Sequence, residues 1–332
     1  MDHLPHPLVY HDLSALPPEP RVLTVGTFDG VHRGHALLLN VTAERASAIG
    51  LSSMVLTFEP VPAQVLRPDR FPGRICSAGE KLRHISRHAI DAVTILAFTV
   101  PFSKQTPDQF MSEIAGKIKP AEMLVGEGFA LGRDRAGTID RLSVLAQEHG
   151  FTVNAVSRLQ DGGTIISSSE IRRALAGGDV ARAAHLLGRP FSITGNVIHG
   201  AHLGRTIGFP TANVEPASDL LVPKDGIYAS LATVDPAVSR RPAMTYIGTR
   251  PTVNTGGRLV ETHLLDFDGD LYDQQLHVEL IAHIRDDQRF DSLGSMVSQL
   301  KQDERATRNI LQAHRLAPNS PADAGSARRV PG

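Results

Sequence analysis

Tryptophan is absent from this 332-residue chain, and aromatic residues make up only 5% of it. The single cysteine, Cys76, excludes an internal disulfide framework and a multi-thiolate metal cluster. Charge of one sign is also lacking. Lys and Arg number 34 against 35 Asp and Glu, a net charge of -1. That balance gives no general attraction to nucleic acid or to an anionic membrane, and no basic stripe or nucleic-acid-reading module is present. No apolar run approaches the roughly 20 residues needed to cross a bilayer, and no basic-then-apolar signal segment opens the chain. A cytoplasmic enzyme acting on small molecules is the expected class. Any nucleotide would have to be held by local positive charge and backbone N–H groups.

What is present is a change of pattern part-way along the chain. Residues 1–20 are proline-rich and without periodicity, which predicts a short lead-in and not a domain of its own. From Arg21 onward, buried-strand runs alternate with helical ones. Strands are expected at 21–25, 53–58, 92–98, 123–125 and 152–156, and helices at 36–49, 81–89, 107–118 and 139–147. Such alternation predicts an open α/β, Rossmann-like domain with a parallel sheet covered on both faces. A helical stretch over 169–187 is interrupted by Gly177 and Gly178. Strands at 191–198, 226–234, 243–247, 261–265 and 275–284 then follow with turn residues between them, which predicts an antiparallel barrel or sandwich. A terminal helix is expected over 293–314. The expected domains are 1–186 and 187–316, with 317–332 a disordered tail.

Two segments carry chemistry. The first is Gly26-Thr27-Phe28-Asp29-Gly30-Val31-His32-Arg33-Gly34-His35, directly after a strand. Gly26, Gly30 and Gly34 allow close backbone approach. His32 and His35, three apart at a helix start, can present both rings to one surface. Paired imidazoles beside helix N–H groups suit negative charge building at a nucleotide's α-phosphorus and on leaving pyrophosphate. Read alone, H-x-G-H also fits a turn with surface or core imidazoles. A second piece, Ser167-Ser168-Ser169-Glu170-Ile171-Arg172, opens a helix with capping serines and a guanidinium fork; a plain N-cap with a solvated arginine is the alternative. Gly126, Gly128 and Gly132 form a flexible strand-to-helix segment suited to adenine or ribose.

The second segment is Gly204-Arg205-Thr206-Ile207-Gly208-Phe209-Pro210-Thr211-Ala212-Asn213. Glycines let backbone approach phosphate, Arg205 adds charge, and Thr211 and Asn213 offer oxygen ligands to a magnesium–nucleotide complex. A simple turn before a strand is the alternative. Glu261, in a strand shared with His263 and Leu265, is the candidate proton acceptor from an attacking alcohol. A lone strand glutamate otherwise faces solvent.

On these residues the chain resembles the bacterial bifunctional riboflavin kinase/FAD synthetase family, over roughly residues 20–314. The resemblance implies an HxGH-type nucleotidylyltransferase domain that transfers AMP from ATP to FMN. It also implies a six-stranded riboflavin-kinase barrel that phosphorylates riboflavin. His32 and His35 match the paired histidines; Ser168, Ser169 and Arg172 match S-S-T-x-I-R, with serine for threonine at 169. Gly208, Pro210, Thr211 and Asn213 match G-x-P-T-x-N, the resemblance making Thr211 and Asn213 the Mg–ATP ligands. Glu261 matches the catalytic glutamate. Thr249-Arg250-Pro251-Thr252 and Asp270-Leu271-Tyr272 match further segments. The expected small molecules are ATP, Mg²⁺, riboflavin and FMN, handled by a monomer or weak homo-oligomer. The chain departs from the family pattern at Val61 (usually His), Gly128 (usually Asn or Asp), Leu203 and Asp273. A kinase with an inactive or regulatory first half, or a flavin-binding regulator, are the alternatives those departures raise.

Overall fold

The computed structural model describes residues 6–200, 203–234, 240–249 and 258–316. The expected tail at 317–332, the segment 250–252, His202 and the side chains of Leu203 and Arg205 lie outside what is described. Contacts divide the chain into two compact units, Met1–Ser168 and Ser169–Gly332.

In the first unit, β1 (Leu8–Tyr10), β2 (Arg21–Val25), β3 (Ser52–Glu59), β4 (Ala92–Ala97), β5 (Pro120–Gly126) and β6 (Thr152–Val156) form one parallel sheet in the order β1-β4-β3-β2-β5-β6. β2 is buried along its whole length, and its alternation serves two cores. Val22 packs with Leu38, Leu39 and Ala46 of α1 (Arg33–Ala48). Leu23 and Val25 face Phe110, Met111 and Ile114 of α3 (Pro107–Lys117) and Leu142 and Leu145 of α4 (Ile139–Glu148). Capping boxes start two helices: Ser77 with Glu80 for α2 (Ala78–Ile85), and Thr106 with Gln109 for α3, where Pro107 takes the first helical position. The chain lays down β2, β3 and β4 to one side and then returns to place β5 on the other. The carboxyl ends of β2 and β5 therefore flank a switch-point crevice.

The lead-in is integrated into the first unit. Leu8–Tyr10 pairs with Ala92–Thr94 as the sheet's edge strand, and Leu13 and Leu16 are buried in the core that holds Leu23 and Phe110. A three-residue strand carries no readable period, and its pairing partner is far away in sequence.

The second unit begins with α5 (Ser168–Ala176, whose first residue closes the first unit) and α6 (Val180–Leu187). They are separated at Gly177-Gly178, Gly178 taking φ +82°. Next come β7 (Phe191–Ile198), β8 (Ala212–Pro216), β9 (Gly226–Val234), β10 (Arg241–Thr249), β11 (Arg258–Leu264) and β12 (Gln275–Arg285). They close into an antiparallel barrel in the order β7-β8-β11-β10-β9-β12. This decides between barrel and sandwich, and adds β8, which begins inside the second glycine segment. The wholly buried hydroxyls of Ser230, Thr245 and Thr262 satisfy one another at 2.7 and 3.1 Å. α7 (Leu293–Leu316) packs across β9, β10 and β12.

If the lead-in belongs to the core, Leu13→Ala should lower unfolding stability by about 2–5 kcal/mol. Urea unfolding followed by circular dichroism measures it; a change within error would detach the lead-in from the fold.

Candidate active sites

The first site is built where β2 turns into α1. Phe28 and Val31 are buried at φ 51° and 38°, and Gly30 at φ +80° has no room for a Cβ, which would lie 2.8 Å from Ile75 Cγ2. Asp29, 4% exposed, holds this strained turn. Its Oδ1 accepts from the Ile75 N–H at 2.9 Å, and its carbonyl accepts from the Ser168 hydroxyl at 3.0 Å. His32 caps α1, its Nδ1 accepting from the His35 N–H at 3.2 Å. That bond assigns neutral His32 its proton on Nε2. The His32 and His35 rings stack at 3.6 Å and 16°, and the Phe28 ring lies 5.1 Å from His35. The two imidazoles thus share one surface at the N-terminus of a 16-residue helix.

Lys81, invisible to the motif reading, ties the rim of the crevice. It is 1% exposed, and its Nζ donates to the Phe58 carbonyl at 2.9 Å and the Thr57 hydroxyl at 3.2 Å, and pairs with Glu59 at 2.7 Å. Burial holds its pKa below the ordinary lysine value, with Glu59 opposing. Arg74 donates to both oxygens of Glu59, at 2.6 and 2.7 Å. Val61 is 2% exposed and sits at the start of a short helix over Pro62–Leu66, a packed apolar side chain where the resemblance leads one to expect an imidazole. Gly126 ends β5, level with Gly26. At Gly128, φ +75°, a Cβ would overlap the Arg158 guanidinium. Ser169 and Arg172 lie on α5, Ser169 exposed and Arg172 half-buried, and by contacts they go with the second unit.

The second site lies against the barrel wall. Cross-strand pairing sets Asn213 opposite Glu261, Glu261 opposite Tyr246, Tyr246 opposite Ile227, and Ile227 opposite Arg285. All five line one cavity of about 390 Å³, together with Gly204, Pro210, Thr211 and His263, and with Met296 and Leu300 of α7. Val260, Thr262 and Leu264 alternate with them and fill the barrel interior. Leu265 lies past the end of β11, so the expected face is shared by Glu261 and His263 alone. The glycine segment is held in place by contact and by bond. A Cβ on Gly204 would overlap the Phe209 carbonyl oxygen, Gly208 sits at φ +83°, and the Pro210 carbonyl lies 2.7 Å from His263 Nδ1. Asn213 is 7% exposed, and its Oδ1 is buried with no hydrogen-bond partner among the described residues. A Cβ on Gly200 would overlap that carboxamide.

Several lining residues carry no motif. Tyr246 donates to Asp287 at 3.2 Å, and burial beside that carboxylate pushes its pKa up to about 12. Arg285 grips Asp303, 2% exposed, through bonds of 2.8, 3.0 and 3.1 Å, and Gln299 adds another at 2.9 Å. Met244, Phe290, Met296 and Leu300 make the remaining wall largely apolar. Alternation along 241–249 marks Met244 and Tyr246 as sharing a face, but nothing local says which partner strand they meet.

Residues 187–311 match the family described as riboflavin kinase, and residues 15–170 match FAD synthetase. The bifunctional riboflavin kinase/FMN adenylyltransferase of Escherichia coli (strain K12) is 40% identical over 301 residues, covering 90% of this chain and 96% of that protein. The Pseudomonas fluorescens protein of the same description is 39% identical over 309 residues, covering 91% and 98%. Among solved structures, a Streptococcus pneumoniae chain described as a macrolide-efflux protein superposes with a TM-score of 0.82 at 29% identity, covering 92% of this chain and 99% of that one. No described helix here is long and apolar enough to cross a membrane.

Asp303→Ala should leave Arg285 without its bidentate partner in the cavity wall and cost about 3–5 kcal/mol. Denaturant unfolding of the full chain measures it. A loss below about 1 kcal/mol, the value of an exposed pair, would mean the pair does not hold the wall.

Proposed function

This chain belongs to the bifunctional riboflavin kinase/FMN adenylyltransferase family, and on that premise we propose which residues carry each of its two reactions. It phosphorylates riboflavin with ATP to give FMN and ADP, and adenylates FMN with ATP to give FAD and pyrophosphate.

In the barrel, Glu261 takes the proton of the flavin's 5′-hydroxyl as that oxygen bonds to the γ-phosphorus and the bond to ADP breaks. The observation that carries this is the cross-strand row from Asn213 through Glu261 to Tyr246 on the wall of one cavity. Ile227, Met244, Phe290, Met296 and Leu300 give the flavin ring an apolar seat. Gly204, Gly208 and Pro210 shape the approach to phosphate, and Arg205 adds positive charge to that segment of the sequence. Asn213 Oδ1, buried and lacking a hydrogen-bond partner among the described residues, and the Thr211 hydroxyl fit a hard cation, which takes one or two protein oxygens beside substrate phosphates. Mg²⁺ held there would neutralise charge on the phosphate chain.

In the first unit the attacking group is already an ionised phosphate, so no base is required. His32, His35 and the α1 N-terminus stabilise charge as an FMN phosphate oxygen bonds to the α-phosphorus and pyrophosphate leaves. Gly26, Phe28 and Gly30 shape the turn. Gly126 and Gly128 line the crevice. Ser168 belongs to the same set through its bond to the Asp29 carbonyl; Ser169 and Arg172 carry the remainder of the S-S-T-x-I-R pattern. Functional domains of 1–186 and 187–316, a cytoplasmic location, and a monomer or weak homo-oligomer belong to the same proposal.

Incubation with riboflavin and Mg-ATP should give FMN first and FAD later, separated chromatographically. Glu261→Gln should slow FMN formation by at least about 100-fold while FAD still forms from supplied FMN. His35→Ala should do the reverse. Parallel loss of both products in a folded variant would overturn the division of labour, and an unchanged rate in Glu261→Gln would remove its role as base.

A further inference from the structure

We propose that Arg158 binds a phosphoryl group of the adenylyl-transfer substrates, taking over the position that Gly128 leaves without a side chain; this rests on the adenylyltransferase reading of the first unit. The ladder from β2 to β5 pairs Thr24 with Leu124, which puts Gly26 and Gly126 level at the carboxyl edge. The next ladder pairs Gly126 with Val156. Arg158 therefore stands two residues past that edge, on the rim that carries the His32–His35 stack. Adjacent strands lie roughly 4.8 Å apart, so β6 is only about two such spacings from β2.

The guanidinium is aimed rather than trailing. Its Nε donates to the Glu127 carbonyl, and its plane occupies the space over Gly128 where a Cβ would overlap it. Gly128 takes φ +75°, which favours glycine, and a side chain there would have to displace the flexible end of the arginine above it. The Glu127 carboxylate does not neutralise the guanidinium by direct pairing. It accepts instead from the Arg158 backbone N–H at 3.3 Å and from Ser157 at 3.1 Å. The terminal nitrogens of Arg158 donate to no described residue. Arg135 adds a second exposed guanidinium, donating to the Gly128 carbonyl at 3.2 Å. Two arginines on one turn, neither paired with a carboxylate among the described residues, favour a phosphoryl anion. Its source is the flavin's 5′-phosphate or the phosphate chain of ATP.

The test measures FAD formation from supplied FMN, varying FMN at saturating ATP and the reverse, for the full chain, Arg158→Ala, Arg158→Lys and Gly128→Asn. Riboflavin phosphorylation in the same preparations reports folding. Arg158→Ala should raise KM by about tenfold or more, the value of a charge-assisted hydrogen bond, with a much smaller change in kcat. Arg158→Lys should recover part of it. A rise for FMN assigns the flavin phosphate, and a rise for ATP the nucleotide's chain. Gly128→Asn must displace the guanidinium and should also raise KM; a lower KM there would overturn the proposal, as would both constants unchanged in Arg158→Ala. If the wild-type chain makes no FAD, the adenylyltransferase reading fails separately. Equilibrium dialysis with FMN and with ATP then decides, equal binding by wild type and Arg158→Ala overturning the role of Arg158.

Discussion

Closure of the barrel is the constraint on which the kinase chemistry depends. In a closed sheet every strand is in register with two neighbours, and a slip of one residue would turn its entire buried face outward. Val260, Thr262 and Leu264 point inward and are nearly or wholly inaccessible. Glu261 and His263 are therefore committed to the opposite face, where Asn213 and Tyr246 stand beside the glutamate on the flanking strands. The apolar interior places the carboxylate; the carboxylate does not place itself. α7 then covers that outer face with Met296 and Leu300, turning a strand surface into a cavity with one wet, charged end and one dry end.

The first unit uses the ends of strands instead of their faces. A parallel sheet whose central strand is buried along its length leaves its carboxyl edge as the place where backbone N–H groups are accessible. Backbone strain is concentrated there. Non-glycine residues at positive φ, as Phe28 and Val31 are, cost about 1–3 kcal/mol each unless the surroundings enforce the conformation. Here the surroundings do so through Asp29, Ser168 and Ile75. Buried cations are treated alike in both units. Lys81 with Glu59, and Arg285 with Asp303, are each given a carboxylate and further polar partners, as burial of charge demands. Each fixes one rim of a site.

Chain-local signals carried most of the elements. The continuous apolar runs of β2 and β3 and the glycine break at 177–178 act within a few residues, and each was readable; the Ser77–Glu80 cap was not read, and the helix it starts begins at Ala78, before the expected 81. So were the glycine segments, because a turn at positive φ leaves its mark in composition. The edge strand Leu8–Tyr10 was missed because three residues show no period and the pairing energy comes from β4. β8 was missed because it starts inside a segment whose glycines read as loop.

His32, His35, Thr211, Asn213 and Glu261 were legible as types in a spacing, and the family was legible through them. Their company was not. Tyr246, Arg285, Asp287 and Lys81 reach their sites from distant strands, a loop and a helix, and a single sequence does not state which strand pairs with which. Gly128 marks the boundary most clearly. As sequence it reads as a lost polar side chain; in the fold its missing Cβ is the space that the Arg158 guanidinium fills. Local pattern determined the elements, the candidate residue types and the two glycine-rich turns, because those depend on neighbours along the chain. Tertiary structure decided which side chains share a cavity and which one occupies the space another leaves, because those depend on register and close packing.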